Sequence, residues 1–179
     1  MNQFIQPRIL VAGFGNIFLG DDAFGCEVVR LLVDMQVPDD VAICDFGIRG
    51  YDLAYALLEP CKVIILIDAI ARGLRPGTVS VLQPADSADP PSVSDIFDPH
   101  SMNPARLLYV ARTLGEITAK IYIVGCEPSD FSDELEDRMG LSEPVQSAVP
   151  KAAQVVMELI QRESGQPETS AASELRLEA

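Results

Sequence analysis

The run Val63-Ile64-Ile65-Leu66-Ile67 is apolar without a break and almost wholly β-branched. A strand with one face in water alternates apolar and polar residues, whereas a strand covered on both faces does not. This run therefore belongs inside a sheet flanked by other layers on both sides. Similar runs occur at Ile9 to Ala12, Val41 to Phe46, Thr78 to Leu82 and Ile121 to Val124.

Helical periodicity separates these runs. Phe24, Val28, Leu31, Leu32 and Met35 fall on one helical stripe, and Leu53, Ala56 and Leu57 mark a short second helix. Asn103-Pro104 is a strong helix start, a capping side chain followed by proline in the first turn. That helix continues through Leu107, Leu108, Val110 and Ala111, and Gly115 suits its end. A last helix carries Val149, Ala152, Val155, Val156, Leu159 and Ile160 inward, with Pro150 either beginning or kinking it.

Strands alternating with helices define an α/β fold, a three-layer sandwich with a twisted, mostly parallel five-stranded sheet and helices on both faces. The link from Asp68 to the Thr78 strand is too short for a crossover helix, so that strand is expected to run antiparallel to its neighbour. Residues 1–162 are read as one domain and 163–179 as a polar, disordered tail. Gln83 to Pro99, rich in Pro, Asp and Ser, is read as a long surface loop leading to His100.

The chain carries 13 Lys and Arg against 27 Asp and Glu, a formal charge of −14. That charge repels nucleic acid and anionic membrane surfaces. No apolar run approaches the ~20 residues that span a membrane, and Met1 to Arg8 lacks the apolar core of a signal peptide. The four cysteines, Cys26, Cys44, Cys61 and Cys126, form no Cys-x-x-Cys pair. A reduced, cytoplasmic protein with neither a zinc ribbon nor a thioredoxin motif is expected.

In an open α/β sheet, ligands bind beyond the carboxyl ends of the parallel strands. Asp22 follows the first strand by a glycine-rich turn, Asp45 ends the second and Asp68 ends the third, so all three should emerge on one side. The single histidine, His100, precedes a helix start that leads toward the same side. Gly13-x-Gly15 is half of a dinucleotide fingerprint, but Phe18 stands where its third glycine is required. The negative charge of Asp21-Asp22 also opposes a pyrophosphate there.

Taken singly, each residue has a structural explanation. Asp21 is a natural N-cap, Asp68 can pair with Arg72 or Arg75, and His100 can be a surface residue. Taken together, two carboxylates repel each other and raise one pKa, a cost that a cation removes. Imidazole with carboxylates suits zinc or nickel, and three protein ligands leave an open coordination position.

Four segments in order resemble the hydrogenase maturation endopeptidases. They are Gly13-Phe14-Gly15-Asn16 with Gly20-Asp21-Asp22 and Gly25, Asp45-Phe46-Gly47-Ile48-Arg49-Gly50, Ile67-Asp68-Ala69, and Pro99-His100-Ser101-Met102-Asn103. Gly140-Leu141-Ser142 and Val149-Pro150 add to the likeness, which runs from about Ile9 to Ile160. The resemblance implies a processing protease that removes a C-terminal extension from a nickel–iron hydrogenase large-subunit precursor once nickel is inserted. A non-catalytic, metal-binding maturation factor is the alternative.

The family's metal-contacting and catalytic positions fall on Asp22, Asp68 and His100, with nickel carried by the substrate and zinc or cadmium able to replace it in vitro. Asp22 stands where many members have Glu. Asp45, Gly47 and Arg49 fall in a segment tied to substrate choice, where Ile48 replaces the usual hydroxyl residue. Gly13, Gly15, Asn16 and Asp21 are expected to build the turn. No nucleic-acid or membrane partner is expected, and the chain is expected to be monomeric.

Overall fold

The computed structural model describes residues 7–84, 103–129 and 140–165. Five strands form one sheet: β1 (Ile9–Phe14), β2 (Val41–Gly47), β3 (Val63–Ala69), β4 (Val79–Leu82) and β5 (Lys120–Cys126). Their order is β2-β1-β3-β5-β4. The first four in that order are parallel, and β4 is antiparallel to β5. The short link after Asp68 does reverse the chain, but β4 pairs with β5 and not with β3, so the link passes over the end of β5.

The helices are α1 (Phe24–Val33), α2 (Gly50–Ala56), α3 (Pro104–Leu114) and α4 (Glu143–Ser164). Every residue of β3 is buried, in keeping with its unbroken apolar run. Its side chains alternate between two cores. Ile65 and Ile67 join α1 and α4 on one face. Ile64 and Leu66 join α2 and α3 on the other. Burying each such side chain stabilises the fold by about 1.5–3 kcal/mol before the opposing entropy is counted. Among the described residues no helix is long and apolar enough to cross a membrane.

Four details differ from the sequence reading. Helix α1 ends at Val33, so Met35 lies beyond it and is exposed, while Val29 takes a core place. Helix α4 begins well before Pro150, at Glu143, and runs through the proline. Pro150 and Gln146, whose carbonyl loses its helical donor, both lie on the exposed side, where that carbonyl is open to solvent. Gly115 does end α3, but with an extended φ of 179°, so its helix-ending role owes nothing to left-handed geometry.

Helix α4 also continues past Arg162 to Ser164. Glu163 fastens this last turn, accepting from the Tyr122 hydroxyl at 2.6 Å and Lys120 Nζ at 3.0 Å. Residues from 166 onward lie outside the described residues. The Asn103 cap is as expected, its side chain accepting from the Arg106 N–H at 2.9 Å.

Candidate functional site

Strand register brings the glycine-rich turn and two aspartates to the carboxyl end of the sheet. Gly13 of β1 lies between Asp45 of β2 and Ile67 of β3, the residue before Asp68. Helix α1 packs directly on this point. A Cβ on Gly13 would collide with the Gly25 carbonyl and Val29, and one on Gly25 with the carbonyls of Phe14 and Ile67. The close approach places the start of α1, and with it Asp22, over the strand ends.

The turn between β1 and α1 is wired by its own backbone. The Asn16 N–H donates to Asp22 Oδ2 at 2.5 Å, and Asn16 Oδ1 accepts from the Phe18 N–H at 3.0 Å. Gly15 adopts φ +131°, and a Cβ there would strike the Asp22 carbonyl. Its N–H donates to the Gly47 carbonyl at 3.0 Å, joining this turn to the end of β2. Gly47, at φ +52°, lets its N–H donate to Asp45 Oδ1 at 2.9 Å. Arg49 folds back on the same turn, donating to the carbonyls of Asp45 at 2.6 Å and Phe46 at 3.2 Å.

Asp21 does not cap the helix that follows it. It sits inside a 3₁₀ turn, Gly20–Ala23, that has no side-chain cap. Its buried carboxylate accepts instead from the Ser129 N–H at 2.8 Å, the Ser142 N–H at 2.6 Å and the Ser142 hydroxyl at 2.9 Å. Asp21 thus ties the turn to the end of β5 and to the start of α4, a role that sequence spacing could not reveal.

Asp68 is only 3% exposed. Burial, reinforced by the charge of Asp22, holds its carboxyl well above the usual carboxylate range, with partial relief from the Ala69 N–H. Burial also raises Asp22, offset by the Asn16 N–H. Neither Asp68 nor Asp22 forms an ion pair among the described residues. Arg72 and Arg75 therefore do not neutralise Asp68, as one sequence reading allowed.

Cys26, which sequence reading did not single out, reports the convergence of the three aspartates. Its thiol lies against the Gly15 carbonyl at 3.7 Å. Burial pushes this thiol up to about 12, with further contributions from the charge and hydrogen bond of Asp45 and the charges of Asp22 and Asp68. The available signal was spacing: Cys26, in the first turn of α1, follows Asp22 by four residues.

Asp22, Asp45 and Asp68 thus all act on the Cys26 thiol from the carboxyl end of the sheet. His100 lies outside the described residues. Among the described residues no three His, Cys, Asp or Glu side chains converge closely enough to hold a metal by themselves. The pair Asp22 and Asp68 still has the character a cation requires, oxygen donors held close without a counter-charge.

Residues 26–159 match the model of the hydrogenase maturation protease family. The chain is 36% identical over 154 residues to a putative hydrogenase maturation protease of Methanocaldococcus jannaschii, covering 85% of this chain and 96% of that one. It is 33% identical over 159 residues to the hydrogenase 2 maturation protease of Escherichia coli, covering 88% and 93% respectively. The structure resembles the E. coli hydrogenase maturating endopeptidase HybD with a TM-score of 0.67 and 30% identity, covering 88% of this chain and 94% of that one. With its fold and strand-end aspartates in place, the chain belongs to the hydrogenase maturation protease family.

Proposed function

We propose that this protein removes the C-terminal extension of a nickel–iron hydrogenase large-subunit precursor, acting in the cytoplasm as a monomer after the precursor has received nickel. Asp22, Asp68 and His100 engage that nickel, which arrives as part of the substrate. The observation that carries the reading is the pair Asp22 and Asp68, desolvated, mutually repelling and without a basic partner among the described residues. A substrate-borne cation relieves that repulsion, so a precursor lacking metal lacks its docking ligand. Zinc or cadmium of similar ligand preference would substitute in vitro.

The surroundings favour a protein substrate over a small molecule. Ile17 and Phe18 on the turn after β1, and Ile48 and Tyr51 after β2, are large apolar residues left in water around the aspartates, Ile48 being 77% exposed. Such clustered apolar exposure marks protein-binding surface. Asp45, accepting from Gly47 and hydrogen-bonded by Cys26, is the candidate to orient the attacking water, while Gly47 and Arg49 shape the turn that meets the substrate.

The test is intact-mass analysis of a nickel-loaded large-subunit precursor from the same source, incubated with wild type or with His100→Ala. Wild type alone should remove a single C-terminal peptide. A stable complex without mass loss would replace the protease reading with that of a non-catalytic maturation factor for this precursor. Equal cleavage by both proteins would remove His100 from the mechanism.

A further inference from the structure

The loop that follows Asp68 has a construction that the reading above does not use. It crosses above the end of β5 and is fixed from inside by one buried acid. The Ile70 N–H donates to the Cys126 carbonyl at 2.8 Å. The carboxylate of Glu127, 6% exposed, accepts from the Arg72 N–H at 2.8 and 3.0 Å and from the Gly73 N–H at 3.0 Å. The Glu127 backbone closes the ring, its carbonyl accepting from Gly77 at 2.8 Å and its N–H donating to Thr78 at 2.9 Å. A buried carboxylate is thus spent on holding one loop conformation.

That conformation turns its side chains outward. Residues 71–76 are all exposed, including Arg72, Leu74 and Arg75. Neither arginine side chain forms an ion pair or hydrogen bond among the described residues, whereas Arg30, Arg49 and Arg162 each pair with an acid. Two guanidinium groups with no acid paired to them among the described residues, on a chain of net charge −14, are well placed to select an anion. A carboxylate-bearing segment is the anion that a protein substrate itself supplies, so it is the fitting partner.

We propose that this loop is a docking arm that receives an acidic segment of the precursor while the aspartates engage its cleavage region; this rests on the reading of the site as one that handles a protein substrate. Rigid backbone fixing lowers the ordering cost of binding. The contact lies at the rim, so it acts on substrate capture and weakens with salt.

The test compares cleavage of the nickel-loaded precursor by wild type, R72E/R75E, R72K/R75K and a control, R30E/K62E, which makes the same change in net charge away from this loop. The R72E/R75E protein should show KM raised about tenfold at low salt with kcat within about twofold, the difference shrinking as salt shortens the range of the charges. The R72K/R75K protein should stay within about threefold of wild type, since a rim site needs the charge more than the planar group.

An unchanged KM in R72E/R75E, with wild type cleaving normally, would overturn the docking arm and leave the protease reading intact. An equal rise in the control would assign the effect to net charge and overturn it as well. If wild type binds the precursor without cutting it, binding decides: a salt-sensitive loss in R72E/R75E supports the arm, and equal binding overturns it. No binding by wild type would overturn both readings.

Discussion

Replacing Asp21 by alanine should unfold the junction between the β1–α1 turn and helix α4. The carboxylate accepts three hydrogen bonds, from the N–H groups of Ser129 and Ser142 and from the Ser142 hydroxyl. The hydroxyl has a second partner, Ser129 Oγ at 2.8 Å, and keeps it in the variant. The two N–H groups are fixed by backbone and have nowhere to turn. A buried donor left unpaired costs about 1–3 kcal/mol. Both groups are only part-buried, so the lower half of that range applies to each, and the sum is about 2–4 kcal/mol. In a chain of this size each kcal/mol shifts Tm by about 2–4 °C, so the midpoint should fall by roughly 5–15 °C. The Ser142→Ala variant keeps both N–H donors and should lose only about 1 kcal/mol. Asp21→Asn should fall between alanine and wild type, because its carbonyl oxygen can still accept from one backbone N–H while its NH₂ cannot accept from the other. Urea unfolding of the metal-free protein at pH 7 measures all three. The reasoning fails if Asp21→Ala costs no more than Ser142→Ala, or if Asp21→Asn matches wild type.

The raised carboxyl of Asp68 gives a signed pH dependence. The folded state binds this proton more tightly than the unfolded chain, so Asp68 lowers stability as pH rises from the ordinary carboxylate value of 3.8 through its folded value. Asp68→Asn should therefore melt higher than wild type at pH 7, with the gain vanishing toward pH 4; a gain that grows toward acid would refute the assignment. Gly25→Ala should cost about 3 kcal/mol or more by forcing α1 away from β1 and β3, read by denaturant midpoint, because the added carbon meets two backbone carbonyls that cannot rotate aside. Asp22→Ala should abolish precursor cleavage while leaving the denaturant midpoint within about 1 kcal/mol of wild type, since it removes a desolvated charge together with one hydrogen bond from Asn16; full cleavage would remove Asp22 from the site.

The sheet was legible in sequence because its signals are local. An unbroken apolar run specified β3, and Asn103-Pro104 specified the start of α3. The grouping of Asp22, Asp45 and Asp68 was legible for a topological reason, since parallel strands deliver their carboxyl ends to one side. What sequence missed depends on long-range partners. Asp21 reads as an N-cap by spacing, yet its donors lie more than a hundred residues away. Pro150 reads as a helix boundary, yet an exposed position lets α4 run through it. Asp68 reads as a partner for nearby arginines, yet Glu127 holds the backbone of Arg72 and Gly73 in a conformation that sends those side chains outward.

Asp21 and Asp22 show how one turn sets two identical side chains to opposite tasks. A 3₁₀ turn separates consecutive side chains by about a third of a revolution, so the two carboxylates leave it in different directions. Asp21 points into the junction of β5 and α4, where donors saturate it. Asp22 points over the strand ends, where the Asn16 N–H meets one oxygen, burial disfavours its charge, and that charge in turn raises Asp68. A saturated carboxylate has little left to offer a cation, whereas an under-satisfied one gains most from it. Exchanging the two environments would place binding capacity inside the core and leave the strand ends inert. The order of the pair follows from the turn, which fixes the first side chain inward so that the second can be held, still short of partners, beside Asp68.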